Sequence, residues 1–261
     1  MFKGFRINAD DAGLDQDIDI AILELLKKGA VNTCSVAPNG DNFDNFIIEF
    51  KSMQFKSIGI HLCFTGDENA LTGRSILTNQ EGKFLFKNKL IWRSIYSPRK
   101  TLKALEQELN TQIEKIRDCN LLISHFDSHQ HLHLFPLLSR LVIKLVKEHD
   151  SSLRVPIIIK PTARLSSFLI MPLSFFLKIR AKKSGIKIHR SIGFEYSGRI
   201  TEKTLTYYST HLKHKFDELL VHPGYSTDAL IRKYKNWNYE WDNERVALLN
   251  LNPGNGCTNE K

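Results

Sequence analysis

Nine residues, His125-Phe126-Asp127-Ser128-His129-Gln130-His131-Leu132-His133, hold four of the chain's ten histidines and an aspartate. Imidazole nitrogens and carboxylate oxygens bind divalent metals and move protons near neutral pH. A merely solvated loop would not need so dense a set. The cluster follows the apolar run Leu121-Leu122-Ile123-Ser124 and precedes Leu134-Phe135-Pro136. The run reads as a short buried strand, and Pro136 suits the first turn of a helix. The histidines are therefore expected in the loop between strand and helix, where α/β proteins place their chemistry.

Three other motifs share that placement. Asp10-Asp11, His61 and His222 each stand at the end of an apolar, strand-like stretch. One carboxylate and two imidazoles make a facial metal site with positions left for water and substrate. Side chains alternate along an extended strand, so two adjacent aspartates are expected to point apart, one holding the metal and the other the attacking water. Taken singly, each motif has a plainer reading: a helix cap and turn for Asp10-Asp11, a core histidine for His61, a turn punctuated by Pro223-Gly224 for His222.

The elements that must position these residues alternate along the chain. Strands are expected at Phe5–Ala9, Val31–Ala37, Ser57–Ile60, Leu121–Ser124, Leu153–Ile159 and Phe216–Val221. Between them, Ile18, Ala21, Ile22 and Leu25 give a helix an apolar face after a cap at Asp15 or Asp17, and Gly29 fits its end. Further helices are expected near Phe43–Met53, Thr101–Asp118 and Pro136–His149. Residues 64 to 98 lack periodicity and read as a surface excursion, a lid or an oligomer contact. Strand–helix alternation implies a parallel sheet covered by helices. Closed as a barrel, it would bring residues about 210 apart in sequence to one face.

The blocks Ile7-Asn8-Ala9-Asp10-Asp11-Ala12-Gly13-Leu14, Gly59-Ile60-His61-Leu62, His125-x-Asp127-Ser128-His129-Gln130-His131-x-His133 and His222-Pro223-Gly224-Tyr225 resemble, in order, those of the YdjC-like carbohydrate deacetylases. That family includes chitooligosaccharide deacetylase, and Gly193-Phe194 with Gly198 resembles a further block. The resemblance covers nearly the whole chain. It implies an α/β fold, a distorted (β/α) TIM-like barrel of about seven parallel strands. It also implies hydrolysis of the acetamido group of an N-acetylated amino sugar with one divalent metal, Mg2+ or Zn2+. By the family's pattern Asp11, His61 and His125 are the expected ligands, Asp10 the general base and His222 the acid. Asp127 and Arg154 are expected to contact substrate or to orient the ligands, and His129 either to ligate the metal or only to orient. Ala12 and Cys63-Phe64 depart from the pattern and bear on the pocket wall.

Length and composition agree with one domain over 1–251 followed by a Gly- and Asn-rich tail, 252–261, expected to be flexible. Cys34, Cys63, Cys119 and Cys257 are widely spaced, which argues against a zinc ribbon or a disulfide scaffold and favours a reduced, cytoplasmic setting. There is no secretory leader pattern at Met1. The net charge of +9 resides in one segment: Ser151 to Phe194 holds nine Lys or Arg and no Asp or Glu, leaving 28 basic and 28 acidic residues elsewhere. No helix–turn–helix or stacking motif accompanies that charge, so nucleic acid is not an expected partner. The apolar run Phe168–Leu177 beside Lys178, Arg180, Lys182 and Lys183 suits an anionic membrane surface, and with it a lipid- or carrier-linked saccharide. A buried barrel helix or a homodimer contact is the alternative. Glycosidase, phosphoesterase and non-catalytic sugar-binding readings remain as rivals; the first needs two carboxyl groups ~5–9.5 Å apart across a glycosidic bond.

Overall fold

A computed structural model describes residues 5–66, 68–159, 165–212 and 214–251, apart from the side chains of 165–169. The expected tail at 252–261 lies outside the described residues. Seven strands form a closed, wholly parallel barrel: β1 (Arg6–Ala12), β2 (Thr33–Val36), β3 (Ser57–Leu62), β4 (Leu122–Ser128), β5 (Ser152–Pro156), β6 (Lys187–Ile192) and β7 (Glu218–Val221), which pairs back onto β1. The helices are α1 (Gln16–Lys27), α2 (Phe43–Ser52), α3 (Lys87–Tyr96), α4 (Pro98–Asp118), α5 (Pro136–Glu148), α6 (Leu165–Lys183), α7 (Glu202–His211), α8 (Asp228–Lys233) and α9 (Trp241–Leu251).

Local chemistry starts and stops these elements. The Asp15 carboxylate accepts the Asp17 N–H at 3.1 Å and caps α1, and Gly29 at φ +66° takes the left-handed turn that ends it. Pro98 and Pro136 occupy the first turns of α4 and α5, where a missing N–H costs nothing. On α4, Leu105, Leu109, Ile113 and Ile116 are buried at helical spacing.

The barrel has two interiors of different character. Between strands and helices, Ile7, Ala9, Ile58, Ile60, Phe126, Leu153, Val155, Leu219 and Val221 are buried in an apolar layer. Inside the strands the alternate residues are polar: Asn8, Asp10, Ser35, His61, His125, Asp127, Arg154, Ser191 and Glu218 are all buried. Arg154 on β5 contacts Asp10 on β1, and those strands are not neighbours; the contact therefore crosses the lumen.

That polar lumen explains where sequence patterns fall short. β4 runs on to Ser128, so His125 and Asp127 belong to the strand and not to a loop. β6, Lys-Ile-His-Arg-Ser-Ile, has no apolar inward face for a pattern to find. The excursion at 64–98 contains α3, which buries only Leu90 and Ser94 and so lacks a full apolar stripe.

Candidate active site

At the C-terminal end of β1 the backbone departs from simple extension. The β1–β2 register shifts between Ala9 and Ala12, and Asp11 takes φ +68°. Such a bulge re-aims side chains. Donor oxygens of Asp10 and of Asp11 each lie within 4.8 Å of a His61 ring nitrogen, Asp11 in a group with His129 and Asp10 in a group with Asp127.

Asp11, His61 and His129 form a buried group whose donor atoms could hold one metal ion. Asp11 Oδ1 stands 3.2 Å from His61 Nε2 and 3.3 Å from His129 Nδ1, yet it makes no hydrogen bond of acceptable geometry. A buried carboxylate oxygen is ordinarily satisfied. An orphan one facing two imidazole nitrogens fits a coordinating cation. Burial alone would raise the Asp11 carboxyl; the His129 and His61 rings hold it well below the usual carboxylate range.

His61 is oriented from behind. Its partner in the β3–β4 register is Asp127, whose Oδ1 lies 2.7 Å from His61 Nδ1. This leaves Nε2 for the Asp11 side, the carboxylate–histidine arrangement common behind metal ligands. Burial works against a charged His61 ring, but Asp127 and Asp11 raise it well above the ordinary imidazole value. The place is one that favours positive charge.

Of the three expected ligands, Asp11 and His61 come together and His125 does not. His125, Asp127 and His129 follow one another at intervals of two, so His125 sits roughly 7 Å deeper along the strand direction. There its Nε2 lies 3.1 Å from Ser35 Oγ and its Nδ1 2.8 Å from Ser124 Oγ. Burial drops its pKa to about 3. Gly59 makes room for it: a Cβ at Gly59 would stand 2.3 Å from His125 Cε1. The glycine of the Gly-Ile-His block thus serves the lumen histidine.

Asp10 is held otherwise. Arg154 donates to its Oδ2 at 2.5 Å and Oδ1 at 2.8 Å, and Asn8 donates to Oδ1 at 2.7 Å. The same guanidinium lies 2.9 Å from Asp127 Oδ2 and donates to Glu218 Oε1 at 2.6 Å. Asp10, His61 and Asp127 also lie close enough to suggest a metal set. Arg154 already neutralises both of those carboxylates, so the Asp11 group is the better candidate. Asp127 feels burial first, which would raise it, but Arg154 and His61 hold it well below the usual range.

His222 stands across from Asp10, with Nε2 3.9 Å from Oδ2 and Nδ1 without a hydrogen bond. Its backbone N–H donates to the buried Glu244 at 2.6 Å. Burial lowers its ring below the ordinary imidazole value, although Asp11 and Asp10 pull the other way. After His129 the chain turns through Gln130 (φ +53°) and His131 (φ +54°). His133 then ties this 3-10 turn down, its Nδ1 2.7 Å from Ser128 Oγ and its Nε2 3.1 Å from the Arg154 carbonyl oxygen.

Sequence reasoning missed Ser35, Glu218 and His189. Glu218 opens the buried strand Glu-Leu-Leu-Val, and a carboxylate leading an apolar strand is a usable sign of a polar lumen. A surface groove of about 700 Å3 between α1 and α2 is lined by Ile20, Leu23, Phe46 and Ile48 and contains none of these site residues.

Comparisons with known proteins bear on the family and the fold. A carbohydrate deacetylase of Oceanobacillus iheyensis is 30% identical over 149 residues, covering 57% of this chain and 63% of the relative. One from Listeria monocytogenes serotype 4a is 32% identical over 147 residues, 56% and 58% of the two chains. The match thus spans about three fifths of those relatives' lengths. A Brevibacillus brevis carbohydrate deacetylase aligns more widely, 23% identical over 86% of this chain and 83% of its own. A solved structure from Enterococcus faecalis V583, presented as a candidate cellobiose-phosphate cleavage protein, shares the fold: TM-score 0.67 at 18% identity, over 95% of this chain and 89% of that one. Residues 5–251 match the model of the family described as YdjC-like protein, and the chain belongs to that family.

Proposed function

We propose that this protein is a metal-dependent carbohydrate N-deacetylase, cleaving the acetamido group of an N-acetylated amino sugar to acetate and a free amine. The observation that carries the reading is the orphan Asp11 oxygen facing His61 and His129, beside a second aspartate, Asp10, that is tied to Arg154. We assign Asp11, His61 and His129 as ligands of one divalent ion, Mg2+ or Zn2+, which when bound would polarise the amide carbonyl and activate water. Asp10, fixed by Arg154 and Asn8, takes the proton from the attacking water. Asp10 Oδ2 and His222 Nε2, 3.9 Å apart, are too far for a direct hydrogen bond, and one small polar group can contact both from the side. A neutral His222 can receive a proton there and pass it to the departing nitrogen, which leaves poorly until protonated. Asp127 orients His61. The buried free thiols of Cys34 and Cys63 suit a reducing, cytoplasmic setting.

The test is acetate release from a panel of N-acetylated saccharides by chelator-treated protein, with Mg2+ or Zn2+ restored. Metal-restored acetate release supports the reading. Release of reducing ends or of phosphate instead would assign a glycosidase or a phosphoesterase.

We further propose that α6 rests on an anionic lipid surface, which would suit a lipid- or carrier-linked saccharide. Among the described residues no helix is long and apolar enough to cross a membrane. Yet α6 leaves Met171, Phe175, Phe176 and Ile179 exposed while burying Leu177 and Ala181. Exposed Lys182 and Lys183 follow on the same helix, within a stretch that carries no acidic residue. An apolar face with a cationic border matches negatively charged lipid. Flotation with anionic against neutral vesicles over a salt series decides it. A concentration-dependent dimer with no vesicle binding would give the face to a second copy.

A further inference from the structure

Four aromatic residues fall within eight positions, Tyr234, Trp237, Tyr239 and Trp241, between α8 and the start of α9. Tyr234 and Trp241 are buried, as core aromatics are. Trp237 and Tyr239 are only partly buried, and each lies against a different histidine of the site. The Trp237 ring centroid is 5.0 Å from that of His129, and the Tyr239 centroid is 5.0 Å from that of His222. The two rings are 5.4 Å apart and meet edge to face, 64° between planes, as an angled ledge.

The ledge is held in place. Tyr239 packs on Gly198 so closely that a Cβ there would stand 2.2 Å from its ring. Glu240 N–H donates to the Gly198 carbonyl at 2.7 Å, and Arg199 Nε donates to the Asn238 carbonyl at 3.0 Å. Tyr234, 4.3 Å from Trp237 between ring centroids, leads into a cavity of about 220 Å3 lined also by Asn69, Lys83 and Lys233. That is smaller than the ~300–1,000 Å3 of drug-sized sites and suits a single sugar unit with polar groups to fix it.

We propose that Trp237 and Tyr239 form the stacking wall for the N-acetylated sugar ring, and that the cavity beside Tyr234 takes the adjoining unit of a short saccharide. An aromatic face offers the C–H side of a pyranose a flat, rigid, apolar partner that loses little entropy on binding. Its place against both His129 and His222 would hold the acetamido group between the two. The inference rests on the deacetylase reading for its substrate class, but its test does not need turnover.

The probe is N,N′-diacetylchitobiose. Its binding to wild type, Trp237→Ala and Trp237→Phe is followed by tryptophan fluorescence and saturation-transfer NMR, with chelator and again with Zn2+. Zinc binding is measured in parallel to show that each variant keeps its fold. The expected result is about tenfold weaker saccharide binding in Trp237→Ala, near-complete rescue in Trp237→Phe, and unchanged zinc affinity. In turnover, KM should rise for the monosaccharide and the disaccharide alike, since both place the same ring on Trp237. Wild-type saccharide affinity in Trp237→Ala, or no binding by wild type under either condition, overturns the ledge. Binding by wild type without acetate release would sink the deacetylase reading and leave the ledge standing.

Discussion

Arg154 grips both carboxylate oxygens of Asp10 across the barrel lumen, at 2.5 and 2.8 Å, from a strand that does not neighbour β1. The same guanidinium meets Asp127 and Glu218, so one buried cation serves three buried carboxylates. Removing one partner of a buried ion pair costs about 3–5 kcal/mol, because the other charge is left unpaired. Arg154→Met should therefore lower the urea midpoint strongly and abolish activity. Arg154→Lys should recover part of the stability but little of the activity, since an ammonium cannot bind Asp10 in two-point fashion. Equal activity in Arg154→Lys and wild type would show that the paired geometry is immaterial.

Metal content and turnover should separate by residue. Asp10→Asn is expected to retain bound metal and to lose about 10²–10⁴-fold in kcat, the usual contribution of a general base. His129→Ala should lose the metal. His125→Ala should keep it, since His125 lies among Ser35 and Ser124 below the ligand group. Elemental analysis after dialysis reads this directly; a metal-free His125→Ala that remains folded would return His125 to the ligand set.

Gly59→Ala should be unusually costly for a one-carbon change. The added Cβ would meet the His125 ring at 2.3 Å and Ser35 Oγ at 2.8 Å, and overpacking of this kind costs about 1–3 kcal/mol. Pairing it with His125→Ala should relieve part of that loss. Strict additivity in the double-mutant cycle would mean that the ring does not need the glycine.

His133 should contribute to acid sensitivity. Burial lowers its pKa from 6.5 to about 4 in the folded protein. Between those values the unfolded chain binds a proton that the folded chain refuses, so stability is full above pH 6.5 and is lost as the pH falls toward 4. The loss attributable to this ring is on the order of 3 kcal/mol at most. Urea midpoints at pH 7.5, 5.5 and 4.5 should fall less steeply for His133→Gln than for wild type. His125, lowered further, should keep some slope in the variant; identical slopes would remove His133 from the account.

Much of this fold was legible because its outer layer obeys ordinary rules. Apolar stripes on α1, α4 and α5 and apolar strands such as Ile58-x-Ile60 mark the strand–helix alternation. The lumen does not obey them. β6 shows alternating Ile188, His189, Arg190 and Ser191, and β4 alternates Phe126 with His125 and Asp127, so polarity marks the inside of the barrel. The family's pattern puts His125 among the ligands, whereas the strand carries its ring down among Ser35 and Ser124. With the cluster opening on a strand, the residue nearest the mouth is His129. The aromatic ledge left a sign in the sequence, four rings in eight residues, but only the fold places two of them against the histidines that follow β4 and β7.

The left-handed backbone at Asp11 also limits what can replace it. Most side chains pay about 1–2 kcal/mol to sit there, whereas Gly, Asn and Asp are tolerated. Mutational drift at this site therefore has few viable exits. Asn preserves the shape while discarding the charge, and Gly keeps the bend while discarding the donor. A long or β-branched residue would be penalised in folding before its chemistry mattered. On the proposed reading, a descendant that gave up the metal but kept the barrel would be expected to carry Asn or Gly at position 11.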